Sequence, residues 1–221
     1  MAKKNPYKAH FINFKKILFD FFRWSGWPFL FWYRMKKIYE TKEQRKHIKG
    51  GALVVANHIL YSDVMVLHST FWYRRLHFMI MQEMMNTKFS NWFFSVCGGC
   101  IPIDRDKPSL KAIRGVVQRL EGGNLVCVFP EGHVSFGNEN PMANFKSGAV
   151  LMAYQAGVPI IPTYREIRES VWKRQRIVMG APIDLRKMYG TQFGMKEIEE
   201  ATKYLFDKEQ ELKAIYNKGD H

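Results

Sequence analysis

The run Asn57-His58-Ile59-Leu60-Tyr61-Ser62-Asp63 sets a histidine and an aspartate five positions apart, directly after the apolar stretch at residues 53–56. Imidazole titrates near neutrality and can take a proton from a hydroxyl, and an aspartate a few residues on can fold back to hold the ring in one tautomer. The pair is the base and orienter of a triad without an enzyme nucleophile. No Gly-x-Ser-x-Gly elbow and no Gly-x4-Gly-Lys-Ser/Thr loop occurs in the chain, which argues against serine-hydrolase and nucleotide-dependent chemistry. An aspartate at a helix start can also be a plain cap, so the pair by itself leaves a structural role open.

Three further runs fall at strand-like apolar stretches, whose ends are where α/β domains build sites. Phe129-Pro130-Glu131-Gly132-His133-Val134-Ser135 holds a glutamate between proline and glycine, able to bind substrate polar groups or the backbone of the catalytic region. Gly98-Gly99-Cys100-Ile101-Pro102-Ile103-Asp104-Arg105 ends in a charge pair; the planar fork of Arg105 suits phosphate, and a simple surface pair with Asp104 is the alternative. Gly157-Val158-Pro159-Ile160-Ile161-Pro162 reads as a wall of the core or of an acyl pocket. Cys97 and Cys100 have zinc-like spacing without a second pair, and with Cys127 they read as reduced core thiols, so no metal is expected.

Residues such as these need strands that end where they stand. The patterning predicts strands over 52–56, 77–81, 101–103, 125–129, 159–164 and 176–179. Helices are predicted over 63–73, 89–96, 110–120, 148–155 and 197–216, the last with Ile198, Leu205, Leu212 and Tyr216 on one face. This order makes an α/β fold with a mostly parallel central sheet flanked by helices, because helices occupy most of the crossovers. A chain of 221 residues, 47% hydrophobic, is enough for one substantial core.

Residues 1–45 differ in character from the strand-rich remainder at 46–221. Phe11, Phe14, Leu18, Phe21 and Phe22 recur at helical spacing with Lys15, Lys16, Asp20 and Arg23 toward the other side; Gly26 and Pro28 break that helix, and Trp27 with residues 29–33 forms a second apolar, aromatic cluster. No stretch is apolar for long enough to span a bilayer, and no cleavable leader is expected. Aromatic rings beside lysines and arginines favour the headgroup boundary, so this segment is expected to be helical and amphipathic and to lie on an anionic membrane surface at the cytoplasmic face; packing on the domain is the plainer alternative. The formal charge of +14 fits an acidic partner, either such a surface or an acidic carrier protein. Nucleic acid is not expected as a partner, because the basic residues are dispersed; a non-catalytic membrane- or nucleic-acid-binding module is the alternative of another class.

Taken together, over roughly residues 51–185 and including Ala181-Pro182-Ile183-Asp184-Leu185, these motifs resemble the glycerolipid acyltransferases typified by 1-acyl-glycerol-3-phosphate acyltransferase. The resemblance implies transfer of a fatty acyl group from an acyl thioester, on acyl carrier protein or coenzyme A, to the hydroxyl of a lysophospholipid, with no cofactor. It implies catalytic roles for His58 and Asp63 and acceptor binding by Glu131, Gly132 and Arg105, with Asn57 and Ser135 beside them. It also implies an N-terminal pair of helices in one leaflet, which residues 1–45 fit. Two positions depart from the family pattern. His133 and Val134 stand where a Thr-Arg pair is usual, and Met81 where a lysine is often found. Phosphate recognition then falls to Arg105 with Lys146 or His133, and a non-phosphate acceptor such as a lyso-amino-acid lipid is the alternative.

Overall fold

Val54, Val55 and their neighbours in Leu-Val-Val-Ala have nowhere to go but between two layers. Strand β2 (Ala52–Ala56) is buried at all five positions, with Leu53 and Val55 in one core cluster and Ala52, Val54 and Ala56 in the other. That alternation is the pleat of a strand covered on both faces, as parallel sheets are. The computed structural model describes residues 16–25, 35–104, 110–132, 145–167 and 174–218.

Beside β2 lie β5 (Leu125–Val128) and β6 (Ile160–Tyr164), both parallel to it. β3 (Leu76–Met81) pairs with β5, and β4 (Ile101–Ile103) closes that side. On the other side β7 (Arg176–Met179) runs antiparallel to β6 and pairs in parallel with β1 (Lys36–Tyr39), giving a sheet of seven strands in the order β1-β7-β6-β2-β5-β3-β4. The expected mostly parallel sheet is thus observed.

One face carries helices α4 (Leu110–Glu121), α5 (Gly148–Ala156) and α7 (Met195–Lys218), the last burying Ala201, Leu205, Glu209, Leu212 and Tyr216. A short α6 (Leu185–Tyr189), capped by Asp184, precedes it. The other face carries α2 (Asp63–Thr70) and Phe71 against Phe78 and Leu76. Thr87 and Ser90 form a capping box for α3 (Lys88–Trp92), which runs on into a π-helical turn, Phe93–Cys97.

Two elements differ from the sequence reading. Residues 1–45 are expected to be helical, yet β1 lies within them and joins the sheet; its Lys36-Lys37 start hides a strand from a hydropathy pattern, and lysines are a usual guard of a sheet edge. Helix α1 (Ile17–Ser25) is present, but it buries Phe19, which lies outside the expected apolar stripe, while Leu18 and Phe21 of that stripe face outward. Asp20 ties the helix down through the guanidinium of Arg75, with Nε donating at 2.9 Å. Phe19 stacks on His77 at 5.5 Å, and Gly99 completes that contact: at φ +58° it passes so close that a Cβ would lie 2.8 Å from His77 Nδ1. The Cys-Gly-Gly-Cys run is therefore a packing device, with Cys97, Cys100 and Cys127 all buried free thiols. Among the described residues no helix is long and apolar enough to cross a membrane. The second aromatic cluster, Trp27 with residues 29–33, lies outside the described residues.

Candidate active site

Where β2 ends, the chain turns through Asn57 to Tyr61 and enters α2 at Asp63, whose side chain points back into that turn. Its Oδ2 accepts from the backbone N–H of Ile59 at 2.7 Å and of Leu60 at 2.9 Å, and lies 2.8 Å from His58 Nδ1. These donors all precede Asp63, and Ser62 makes no side-chain cap, so the aspartate clasps the loop rather than capping its helix. The other oxygen, Oδ1, is ion-paired with Arg165 at 2.8 Å; the Asp63 side chain is fully buried and that of Arg165 is 3% exposed. A buried carboxylate held by a guanidinium, two amides and an imidazole is a fixed anchor for the ring. His58 keeps 15% of its side chain exposed and stacks on Phe129 at 4.0 Å, so its plane is set by the aromatic residue that opens the second motif.

Arg165 follows β6 directly, and Asn57 holds it. The Asn57 side-chain Nδ2 donates to the Arg165 backbone carbonyl at 2.8 Å, and the Arg165 backbone N–H donates to Asn57 Oδ1 at 3.0 Å. Asn57, expected to touch substrate, is 1% exposed and clamps the ends of β2 and β6 instead. A cation directly after five buried strand positions was the available signal for Arg165.

Glu131 is 1% exposed. Burial pushes its carboxyl up to about 8, opposed by a hydrogen bond from the His58 backbone and reinforced by the charge of Asp63. The second motif therefore meets the first, as a carboxyl group set against the backbone of the His58 loop. Glu209 of α7 adds a second buried acid to this region: it is fully buried, burial raises its carboxyl well above the ordinary range, and Glu131 adds to the shift. Sequence reading missed it because it sits in the apolar stripe of α7 where a leucine is expected. Gly132 adopts φ +73°, which a side chain would strain, and the place of its missing Cβ is 3.3 Å from Lys146 Nζ. The exposed Lys146 is thus brought beside the Glu-Gly turn, with its backbone N–H donating to the Pro130 carbonyl at 3.0 Å. Arg105, His133 and Ser135 lie outside the described residues.

The arrangement can take a proton onto imidazole beside a partly open surface, with the resulting charge balanced from beneath by Asp63. The model of the Acyltransferase family matches residues 36–165. Similar curated proteins include a probable 1-acyl-sn-glycerol-3-phosphate acyltransferase of Mycoplasma pneumoniae, 30% identical over 58% of this chain and 54% of its own length. The 1-acyl-sn-glycerol-3-phosphate acyltransferases of Bacillus subtilis and Streptococcus pneumoniae are 26% and 29% identical, over 61% and 60% of this chain and 67% and 50% of theirs. The chain thus spans about half the length of two of these three relatives. The crystal structure of the 1-acyl-sn-glycerophosphate acyltransferase PlsC of Thermotoga maritima shares the fold, with a TM-score of 0.61 at 20% identity over 91% of this chain and 81% of that one. With 130 consecutive positions matched, from β1 through the loop of His58 and Asp63 to Arg165, the chain belongs to the Acyltransferase family.

Proposed function

We propose that the chain moves a fatty acyl group from an acyl thioester to the hydroxyl of a lysophospholipid, with 1-acyl-glycerol-3-phosphate as acceptor and phosphatidic acid as product. The observation that carries this reading is the 2.8 Å contact between His58 Nδ1 and the fully buried Asp63. It makes Nε2 the nitrogen that takes the acceptor's proton. The acceptor oxygen attacks the thioester carbonyl as that proton passes to His58; the C–S bond then breaks, and the thiolate regains the proton from the imidazolium. A thiolate leaves readily, so a positioned base and correct alignment supply most of what the step needs. No acyl-enzyme is required. The acceptor phosphate falls to Arg105, His133 and Lys146, with Lys146 supported by its place beside Gly132, and Glu131 braces the loop that carries the base. The donor is acyl carrier protein or coenzyme A carrying the acyl chain.

The same reading puts the enzyme on the cytoplasmic face of the membrane through residues 1–45. It is supported by α1, on which Ile17, Leu18, Phe21 and Trp24 are exposed beyond the anchoring Phe19, and by the +14 charge, which draws the chain to anionic lipid. The test is thiol release from palmitoyl-coenzyme A and palmitoyl-carrier protein with lysophosphatidic acid as acceptor. Turnover should fall by about 10²- to 10⁴-fold in His58→Ala. Near-full activity in that variant would remove His58 from the chemistry.

A further inference from the structure

Beyond β4, the last strand of the sheet, a groove of about 690 Å³ opens between α3 with its π-helical turn and α4. Its floor is Ile101 and Pro102, its α3 side includes Asn91 and Ser95, and Gln82 lies at the end of β3. The α4 side presents Lys111, Arg114 and Gln118, spaced three and four residues apart and so on one helix face, with Arg119 beside them. No acidic residue lines it among the described residues. The volume is that of a small-molecule site, and its lining of cations and amides over an apolar floor is suited to a phosphate ester with a carbon chain attached.

The strand order sets its distance from the base. His58 follows β2, Gln82 follows β3, and β3 is parallel to β2 through β5, so both residues stand at the same edge of the sheet. From β2 to β4 is three strand spacings, about 14 Å. A pantetheine arm has about twelve backbone atoms between sulfur and phosphate, the equivalent of four extended residues, and so reaches about 13–14 Å.

We propose that this groove binds the phosphate end of the phosphopantetheine thioester donor, with Lys111 and Arg114 as its phosphate ligands. This rests on the reading of the chain as a thioester-dependent acyltransferase. Coenzyme A and acyl carrier protein both carry that phosphate. The experiment compares KM for palmitoyl-coenzyme A, palmitoyl-carrier protein and palmitoyl-pantetheine, which lacks the phosphate, in the parent and in Lys111→Ala/Arg114→Ala. Calorimetric binding of coenzyme A to both proteins runs in parallel. In the parent the phosphorylated donors are preferred; in the double variant that preference collapses by about tenfold or more, and coenzyme A binding weakens with it, as expected for two charge-assisted contacts. Loss of preference for the coenzyme A donor alone, or for the carrier donor alone, would identify which one uses the groove.

An unchanged preference overturns the proposal, and so does a variant that keeps it but no longer sediments with anionic vesicles, since the groove would then serve a lipid headgroup. Absence of thiol release from every donor in the parent counts against the acyltransferase reading instead, and coenzyme A binding then still decides the groove.

Discussion

Replacing Arg165 by methionine keeps the length of the side chain and removes its charge, leaving Asp63 as a buried carboxylate with one oxygen no longer matched by its guanidinium. Breaking one side of a buried ion pair costs about 3–5 kcal/mol. The other oxygen of Asp63 keeps its contacts with Ile59, Leu60 and His58, which places the loss at the lower end, about 3 kcal/mol. In guanidinium chloride, with a slope of about 3 kcal/mol per molar, the unfolding midpoint should move down by about 1 M. Arg165 also fills space, so the ion pair is isolated by a double-mutant cycle with Asp63→Asn. Once the carboxylate is gone, Arg165→Met should cost about 1 kcal/mol or less, leaving a coupling of about 2 kcal/mol between the two positions. A coupling below about 0.5 kcal/mol, within the range of independent sites, would refute the claim that Arg165 holds the carboxylate that orients His58.

The buried acids give the protein a pH dependence of definite sign. Glu131 rises from an ordinary value of 4.5 to about 8, and Glu209 rises as well, so between those limits the folded chain binds protons that the unfolded chain has released. Stability should therefore fall as pH rises from about 4.5 to about 8, and Glu209→Gln should make that fall shallower; equal slopes in parent and variant, read by denaturant unfolding at pH 5.5 and 8, would count against it. On the membrane side, Phe21→Ser with Trp24→Ser removes two exposed rings of α1 without touching the buried Phe19, and should weaken sedimentation with anionic vesicles while leaving far-UV circular dichroism unchanged. Undiminished sedimentation would move the docking surface away from that helix.

The centre of the sheet was legible because β2 and β5 are short, fully apolar runs that stand out beside glycine and asparagine. The edge was not. β1 starts with two lysines and owes its strand conformation to pairing with β7, a partner about 140 positions away that no local pattern can reveal. The contact between His58 and Asp63 was legible because both members lie in one loop, five positions apart. Arg165 and Glu209 were not, since each reaches the site from a distant element and each looks locally like something else: a charge at a strand end, a glutamate on a long amphipathic helix. Asn57 was correctly placed near the site, but its task is to clamp two strand ends, and only the position of β6 makes that visible.

That clamp bears on when the protein becomes competent during synthesis. Asn57 and Arg165 are 108 positions apart, and the interval holds α2 to α5 and β3 to β6. A nascent chain that has emerged only as far as residue 158 already contains His58, Asp63 and Glu131, yet the carboxylate that aims the ring has no cation beneath it. Contacts of such long sequence separation form late, because the intervening chain must first be ordered. The buried anchor beneath His58 is therefore complete only after β6 has docked against β2, and under the proposed mechanism a ribosome-stalled or truncated product carrying the whole His-x4-Asp motif is expected to be chemically silent.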